Sequence, residues 1–395
     1  MNVIKNTTAD LQEMDRAHFM HPSTHMRQHA AGETPNRIIN GGKGIYIHDT
    51  EGKQSLDAFA GLYCVNVGYG RTEIADAIYA QAKELAYYHT YVGHGNEPII
   101  RLSDRIIKSA PEGMQRVYYG MSGSDANETN IKLIWYYNNI RGLPQKKKII
   151  SRLRGYHGVT VASASMTGLP YNHRSFDLPI AGVLHTTCPH YWREGMDGET
   201  EDAFATRCAQ DLDDMIQAEG PDTVAAFIAE PVMGAGGVVV PPATYWEKIQ
   251  TVLAKYDILL IADEVICGFG RTGNMFGSTT YDIKPDILTM SKQITSSYFP
   301  FSAFMINDRV YEPIAEESGR IGVLGHGYTA GGHPVGAAVA LENIKIIEER
   351  DLVANAAARG AELQAGLANF TDHPLVGEAR GVGLVAALEL VIPEG

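Results

Sequence analysis

At 395 residues the chain is too long for one ordinary core, so a large domain with a smaller companion is the expected organisation. Hydrophobic residues at 45% and charged residues at 20% are the proportions of a globular protein that buries a sizeable core. A net charge of −13 argues against nucleic acid or an anionic membrane surface as a partner.

The four cysteines, Cys64, Cys188, Cys208 and Cys267, have neither CxxC spacing nor a disulfide framework, so reduced thiols are expected. The opening residues MNVIKNTTADLQEMD lack an apolar signal stretch, and no apolar run reaches membrane-spanning length; a cytoplasmic location is the expectation.

Taken in order, the chain begins with a polar helical start and the segment HPSTHMRQHAAGE, then a strand or hairpin at 44–48 and the turn Asp49-Thr50-Glu51-Gly52. LDAFAGLYCVNVGYG (56–70) is apolar with terminal glycines; Tyr63 and Cys64 either line a pocket there or are ordinary core. Ile74, Ala77, Ile78 and Ala82 have helical spacing over 72–85. In the aromatic loop YYHTYVGHG (87–95), two histidines five apart have no carboxylate partner, and no metal site is expected. RVYYGM (116–121) predicts a strand, followed by Ser122-Gly123-Ser124-Asp125 and a helix over 126–139. Serine and aspartate there cap the helix, and its free N–H groups form an anion site, although capping alone explains the residues equally well.

KIISR (148–152) is the next strand, ending at RGYHG (154–158), where Tyr156 lies either against a planar ligand or in a surface turn. A helix over 200–218 precedes a buried strand at 223–229, closed by Glu230-Pro231. An amphipathic helix at 244–255 leads to two apolar runs, 258–262 and 287–290. The first ends in Asp263-Glu264 and the second in Ser291-Lys292. Runs of this length read as strands buried on both faces of a parallel sheet, whose ligands bind beyond the carboxyl ends. A strand at 301–307, the glycine-dense loop HGYTAGGHP (326–334), a helix at 335–350, a further helix and a strand at 383–390 complete the chain. The alternation over 72–325 predicts an α/β fold with a doubly wound, mostly parallel sheet. Residues 73–325 form the expected large domain, with 1–72 and 326–395 contributing a smaller α+β domain from both chain ends.

GFGRTG (268–273) fits the dinucleotide fingerprint, but the strand ends early, at Asp263, and GNMFGSTTY is not expected to form a helix. Neither GxSxG, HExxH nor a P-loop occurs. What remains at successive strand ends is Ser122–Ser124, Tyr156, Glu230, Asp263 and Lys292. Pyridoxal phosphate suits this set. The helix start takes a phosphate, Tyr156 stacks on a pyridine, Asp263 keeps the ring nitrogen protonated, and Lys292 attaches the cofactor and shuttles a proton. Glu230 has the least definite role.

These residues also carry a resemblance. IADEVICGFGRTG followed by DILTMSKQITSSYFP is similar to the central signature of class III (omega-type) aminotransferases of fold type I, with Lys292 and Asp263 in the two catalytic positions. YYGMSGSDANET resembles that family's phosphate cup, RGYHG its stacking aromatic with the adjoining His157, and AEPV its active-site glutamate, Glu230. The likeness places Val265 on the ring face opposite Tyr156. HGYTAGGHP resembles the loop whose threonine, Thr329, reaches the phosphate of a neighbouring subunit, which implies a homodimer with shared active sites. LDAFAGLYCVNVGYG and HPSTH are similar to the subgroup that transfers amino groups from amines or omega-amino acids to pyruvate through pyridoxamine phosphate. By that likeness Tyr63 and Phe19 line the donor pocket. Two departures stand out: TAGGHP replaces the usual aromatic and serine after the threonine, and the family's carboxylate-binding arginine lies beyond VAALELVIPEG. An ornithine- or 4-aminobutyrate-type transaminase, an aminomutase, or an inactive cofactor-binding protein are the alternatives.

Overall fold

A computed structural model describes residues 6–392. They divide into two units, Met1–Thr72 and Glu73–Gly395. In the first, Thr7 caps the helix Thr8–His18 through a capping box with Asp10, and a shorter helix spans Met26–Ala30. Three antiparallel strands follow, β1 (Ile39–Lys43), β2 (Tyr46–Asp49) and β3 (Gln54–Leu56). Lys43 pairs with Tyr46, so the β1–β2 turn is two residues long, and Gly44 meets its need for positive φ at +59°.

The second unit is built on seven strands: β4 (Met114–Gly120), β5 (Lys148–Arg152), β6 (Val183–Thr186), β7 (Val224–Ala229), β8 (Leu259–Asp263), β9 (Ile287–Met290) and β10 (Ser302–Asn307). Their spatial order is β4-β10-β9-β8-β7-β5-β6. β10 runs against both its neighbours and every other pairing is parallel. VAAFIA, LLIAD and ILTM are buried at every position, as strands covered on both faces must be. Ile131, Ile134 and Tyr137 of the helix Gly123–Ile140 share one core with Ile149, Ile228, Ile261, Ile287 and Phe304. Because β10 alone is reversed, β4, β5, β7, β8 and β9 deliver their carboxyl ends to one edge of the sheet. That edge carries the site.

Residues 326–395, expected beside the N-terminal segment, group with the large sheet. Close backbone approach explains this. In the helix Pro334–Glu349, a Cβ at Gly336 would lie 2.6 Å from the Phe301 ring, and Asn343 Nδ2 donates to the carbonyls of Gln293 and Ile294. The terminal hairpin, β11 (Val376–Val382) and β12 (Val385–Leu390), is tied in by Arg380, whose guanidinium donates to the carbonyls of Gly237 and Val238. Sequence reading missed β6, and GNMFGSTTY does contain one helical turn, Gly277–Thr280. Among the described residues no helix is long and apolar enough to cross a membrane.

Candidate active site

A cavity of about 360 Å³ opens at the carboxyl edge of the large sheet. Ser122, Gly123, Ser124, Tyr156, His157, Glu230, Asp263, Val265 and Lys292 all line it. Strand β4 delivers the first three. Ser122 has extended backbone (φ −150°, ψ 160°), and its Oγ accepts from the Asp125 N–H at 3.2 Å. The Asp125 carboxylate accepts in turn from the N–H groups of Met121 and Ser122. A first helical turn has no upstream carbonyls, so the Gly123 and Ser124 N–H groups stay without an intrahelical acceptor beside the cavity. A Cβ on Gly123 would come within 3.0 Å of Val265 Cγ2, so glycine lets the helix start sit this close.

Asp263 ends β8 with 3% of its surface exposed. Its Oδ1 accepts from the Val265 N–H at 3.1 Å, and its Oδ2 accepts from Asn127 Nδ2 at 2.9 Å and from His157 Nδ1 at 2.8 Å. Asn127 is itself held: its Nδ2 also donates to the His157 carbonyl, and its Oδ1 accepts from Thr289 Oγ1. Three donors on one buried carboxylate fix its direction. Sequence reading did not find Asn127. Its only signal was its place one helical turn after Gly123, on the same face.

Glu230, just past β7, accepts from the Tyr156 N–H at 3.0 Å and the Gly234 N–H at 2.8 Å. Burial pushes its carboxyl above the ordinary range; His157 opposes that and Asp263 adds to it. Glu230 thus anchors the turn that presents Tyr156, whose phenol burial also raises. Glu264, the residue after Asp263, is equally buried but lies outside the cavity lining, clamping Gly277 and Ser278 through their N–H groups and the Ser278 hydroxyl. Burial pushes it up to about 7 against the pull of those donors.

Lys292 opens the tight turn Lys292–Ile294 after β9 with φ of +35°, and Ser296 and Ser297 follow at +50° and +55°. Such backbone is costly for residues other than glycine and persists where surroundings hold it. Here Gln293 Nε2 donates to the Ile266 carbonyl, and the Asn343 amide described above grips the turn from the other side.

Thr329 lies on an exposed loop outside the cavity lining, its carbonyl accepting from the Tyr87 hydroxyl. Phe19 and Tyr63 belong to the N-terminal unit, where Phe19 is 57% exposed and Tyr63 packs edge-on against Phe59. The aromatic loop histidines His89 and His94 pack against each other and Tyr88.

Residues 28–394 match the family model described as aminotransferase class-III. The chain is 57% identical over 389 residues to a diaminobutyrate–2-oxoglutarate transaminase of Halomonas elongata, covering 98% of this chain and 83% of that one. It is 48% identical over 353 residues to gamma aminobutyrate transaminase 1 of Solanum lycopersicum, covering 89% and 68%. The omega transaminase from Pseudomonas jessenii solved in complex with PMP superposes with a TM-score of 0.95 at 54% identity, covering 96% of this chain and 84% of that one.

Proposed function

The chain belongs to the class-III aminotransferases, and from that premise we propose that it moves an amino group from a primary amine or omega-amino acid to pyruvate, using pyridoxal phosphate held in the cavity at the sheet edge. The family uses this cofactor, and the residues present fit it. The observation that carries the reading is the convergence of a free helix N-terminus, a buried aspartate and a lysine on one cavity.

When bound, the cofactor supplies a ring that delocalises the electron pair left when a proton leaves the substrate carbon. The Gly123 and Ser124 N–H groups bind its phosphate at the positive end of the helix. Tyr156 and Val265, both in the cavity lining, would cover the ring. Asp263, held by His157 and Asn127, keeps a proton on the ring nitrogen, without which the ring is a poor electron sink. Lys292 Nζ would hold the cofactor's carbonyl carbon and, when freed, would carry a proton between the substrate carbon and that cofactor carbon. Glu230 keeps Tyr156 in place through its backbone N–H. We infer further that Thr329, on its exposed loop, serves the phosphate of a second copy, and that Phe19 and Tyr63 contact the amine donor.

A second reading draws on the relatives' names: a diaminobutyrate–2-oxoglutarate and a gamma aminobutyrate transaminase favour an omega-amino acid donor with 2-oxoglutarate as acceptor. A matrix of amine and omega-amino acid donors against pyruvate and 2-oxoglutarate decides. Amine–pyruvate turnover well above every other combination supports the first reading; preference for 2-oxoglutarate selects the second; no turnover in any combination overturns both.

A further inference from the structure

The N-terminal unit contains a group of side chains that the cavity chemistry does not use. Asp15, on the helix Thr8–His18, His21, in the following loop, and His29, on the helix Met26–Ala30, bring one carboxylate and two imidazoles together. His21 Nε2 lies 3.0 and 3.1 Å from the two Asp15 oxygens, and His29 Nε2 lies 3.0 Å from Asp15 Oδ2. All three ligand atoms fall within 4.8 Å of one another.

His29 is the informative member. Its side chain is 10% exposed, yet Nε2 makes no hydrogen bond, because it approaches Asp15 Oδ2 off the line that an N–H would need. Its other nitrogen, Nδ1, is 3.4 Å from the Thr34 hydroxyl, which can accept a proton from it. With Nδ1 as the donor to Thr34, the Nε2 lone pair is left on the side of the Asp15 carboxylate, where a bound cation would draw on both. Asp15 Oδ2 is steadied from behind by Asn36 Nδ2 at 2.8 Å. Oriented imidazoles and a hydrogen-bonded carboxylate are what a metal's ligands require of their surroundings.

We propose that Asp15, His21 and His29 form a binding site for a divalent cation of the zinc class. Imidazole nitrogen and carboxylate oxygen are the donors such ions take, and tetrahedral bonds of about 2.0–2.1 Å place ligand atoms roughly 3.3 Å apart, close to the 3.0 Å between Asp15 and each imidazole. Three protein ligands leave a fourth position for water. The ion ties the helix Thr8–His18 to the helix Met26–Ala30. A second cluster, His190, Glu378 and Glu389, differs in that both carboxylates are already paired with arginines, Arg380 reaching each at 2.7 Å.

The test uses the full-length holoprotein, stripped with a chelator, dialysed against zinc chloride and assayed for bound metal. The expected result is one zinc per chain, with affinity reduced tenfold or more in Asp15→Asn and in His29→Asn. Absence of zinc uptake by the wild type, or unchanged uptake in variants with native circular dichroism, overturns the proposal. X-ray absorption of the zinc-loaded wild type needs no variant: two imidazoles in the metal's shell support the site, and a shell without them overturns it.

Discussion

His157 Nδ1 lies 2.8 Å from Asp263 Oδ2, with the two side chains 0% and 3% exposed. The same carboxylate oxygen accepts from Asn127 Nδ2 at 2.9 Å, so residues from two other segments, 106 and 136 positions away, fix one carboxylate in the cavity lining. The carboxylate's direction is set before any ligand arrives, which is how a site avoids reorganising during reaction.

Asp263→Asn should therefore keep the cofactor but lower turnover by roughly 10²–10⁴-fold, since a neutral amide cannot hold the ring nitrogen's proton. Steady-state turnover beside cofactor absorbance checks this; near-normal turnover removes Asp263 from the mechanism.

Asn127→Ala removes a donor from Asp263 and leaves Thr289 Oγ1 without its acceptor. The expected cost is about 1–3 kcal/mol of stability, with kcat lowered more than the donor KM is raised. Denaturation and steady-state kinetics on the same preparation separate these effects. An unchanged kcat in a destabilised variant confines Asn127 to a structural role.

Glu264 yields a pH prediction. Burial holds its proton up to about 7 in the folded chain, against 4.5 as the ordinary value. Between those values the folded state keeps a proton that the unfolded state has released. The contribution of this group is thus fully present below the lower value and lost as pH rises through the higher one, by up to about 3 kcal/mol. In Glu264→Gln this part of the pH dependence should vanish. Melting temperatures of both proteins across pH 4 to 8 measure it, and parallel curves contradict it.

Thr329→Val tests whether the site is shared between two copies. If the Thr329 hydroxyl serves a neighbouring copy's phosphate, its loss should weaken cofactor retention roughly tenfold or more, the scale of a hydrogen bond to a charged group, while the oligomer persists. Equilibrium dialysis and light scattering read the two quantities. Full retention of the cofactor removes Thr329 from the phosphate site.

Much of this architecture is legible in the chain. The runs ILLIA and ILTM announce buried strands because a parallel sheet covered on both faces leaves no polar alternation. The start of the helix Gly123–Ile140 is legible because Ser122 and Asp125 form a reciprocal cap. β6 escaped because VLHT is four residues with a central histidine, too short and mixed to carry a period. Asn127 was hidden for another reason: an asparagine inside a helix has no local signature, and its partner Asp263 is 136 residues away. The positive φ of Lys292 is equally unreadable, since the turn is held from outside by Asn343 and by the Ile266 carbonyl that accepts from Gln293. Glu264 sits beside Asp263 in sequence but serves Gly277 and Ser278, a division of labour set by which way each side chain leaves the strand end.

The central claim is that Lys292 and the cavity around it run amino transfer in two halves. The purified protein, loaded with pyridoxal phosphate, is mixed with an amine donor in the absence of any keto acid while cofactor absorbance is followed; pyruvate is then added. The account predicts that the absorbance shifts with the amine and returns with pyruvate in the wild type, and that Lys292→Ala does neither. A wild type that never responds to a broad panel of amines, or a Lys292→Ala variant that cycles as the wild type does, would contradict it.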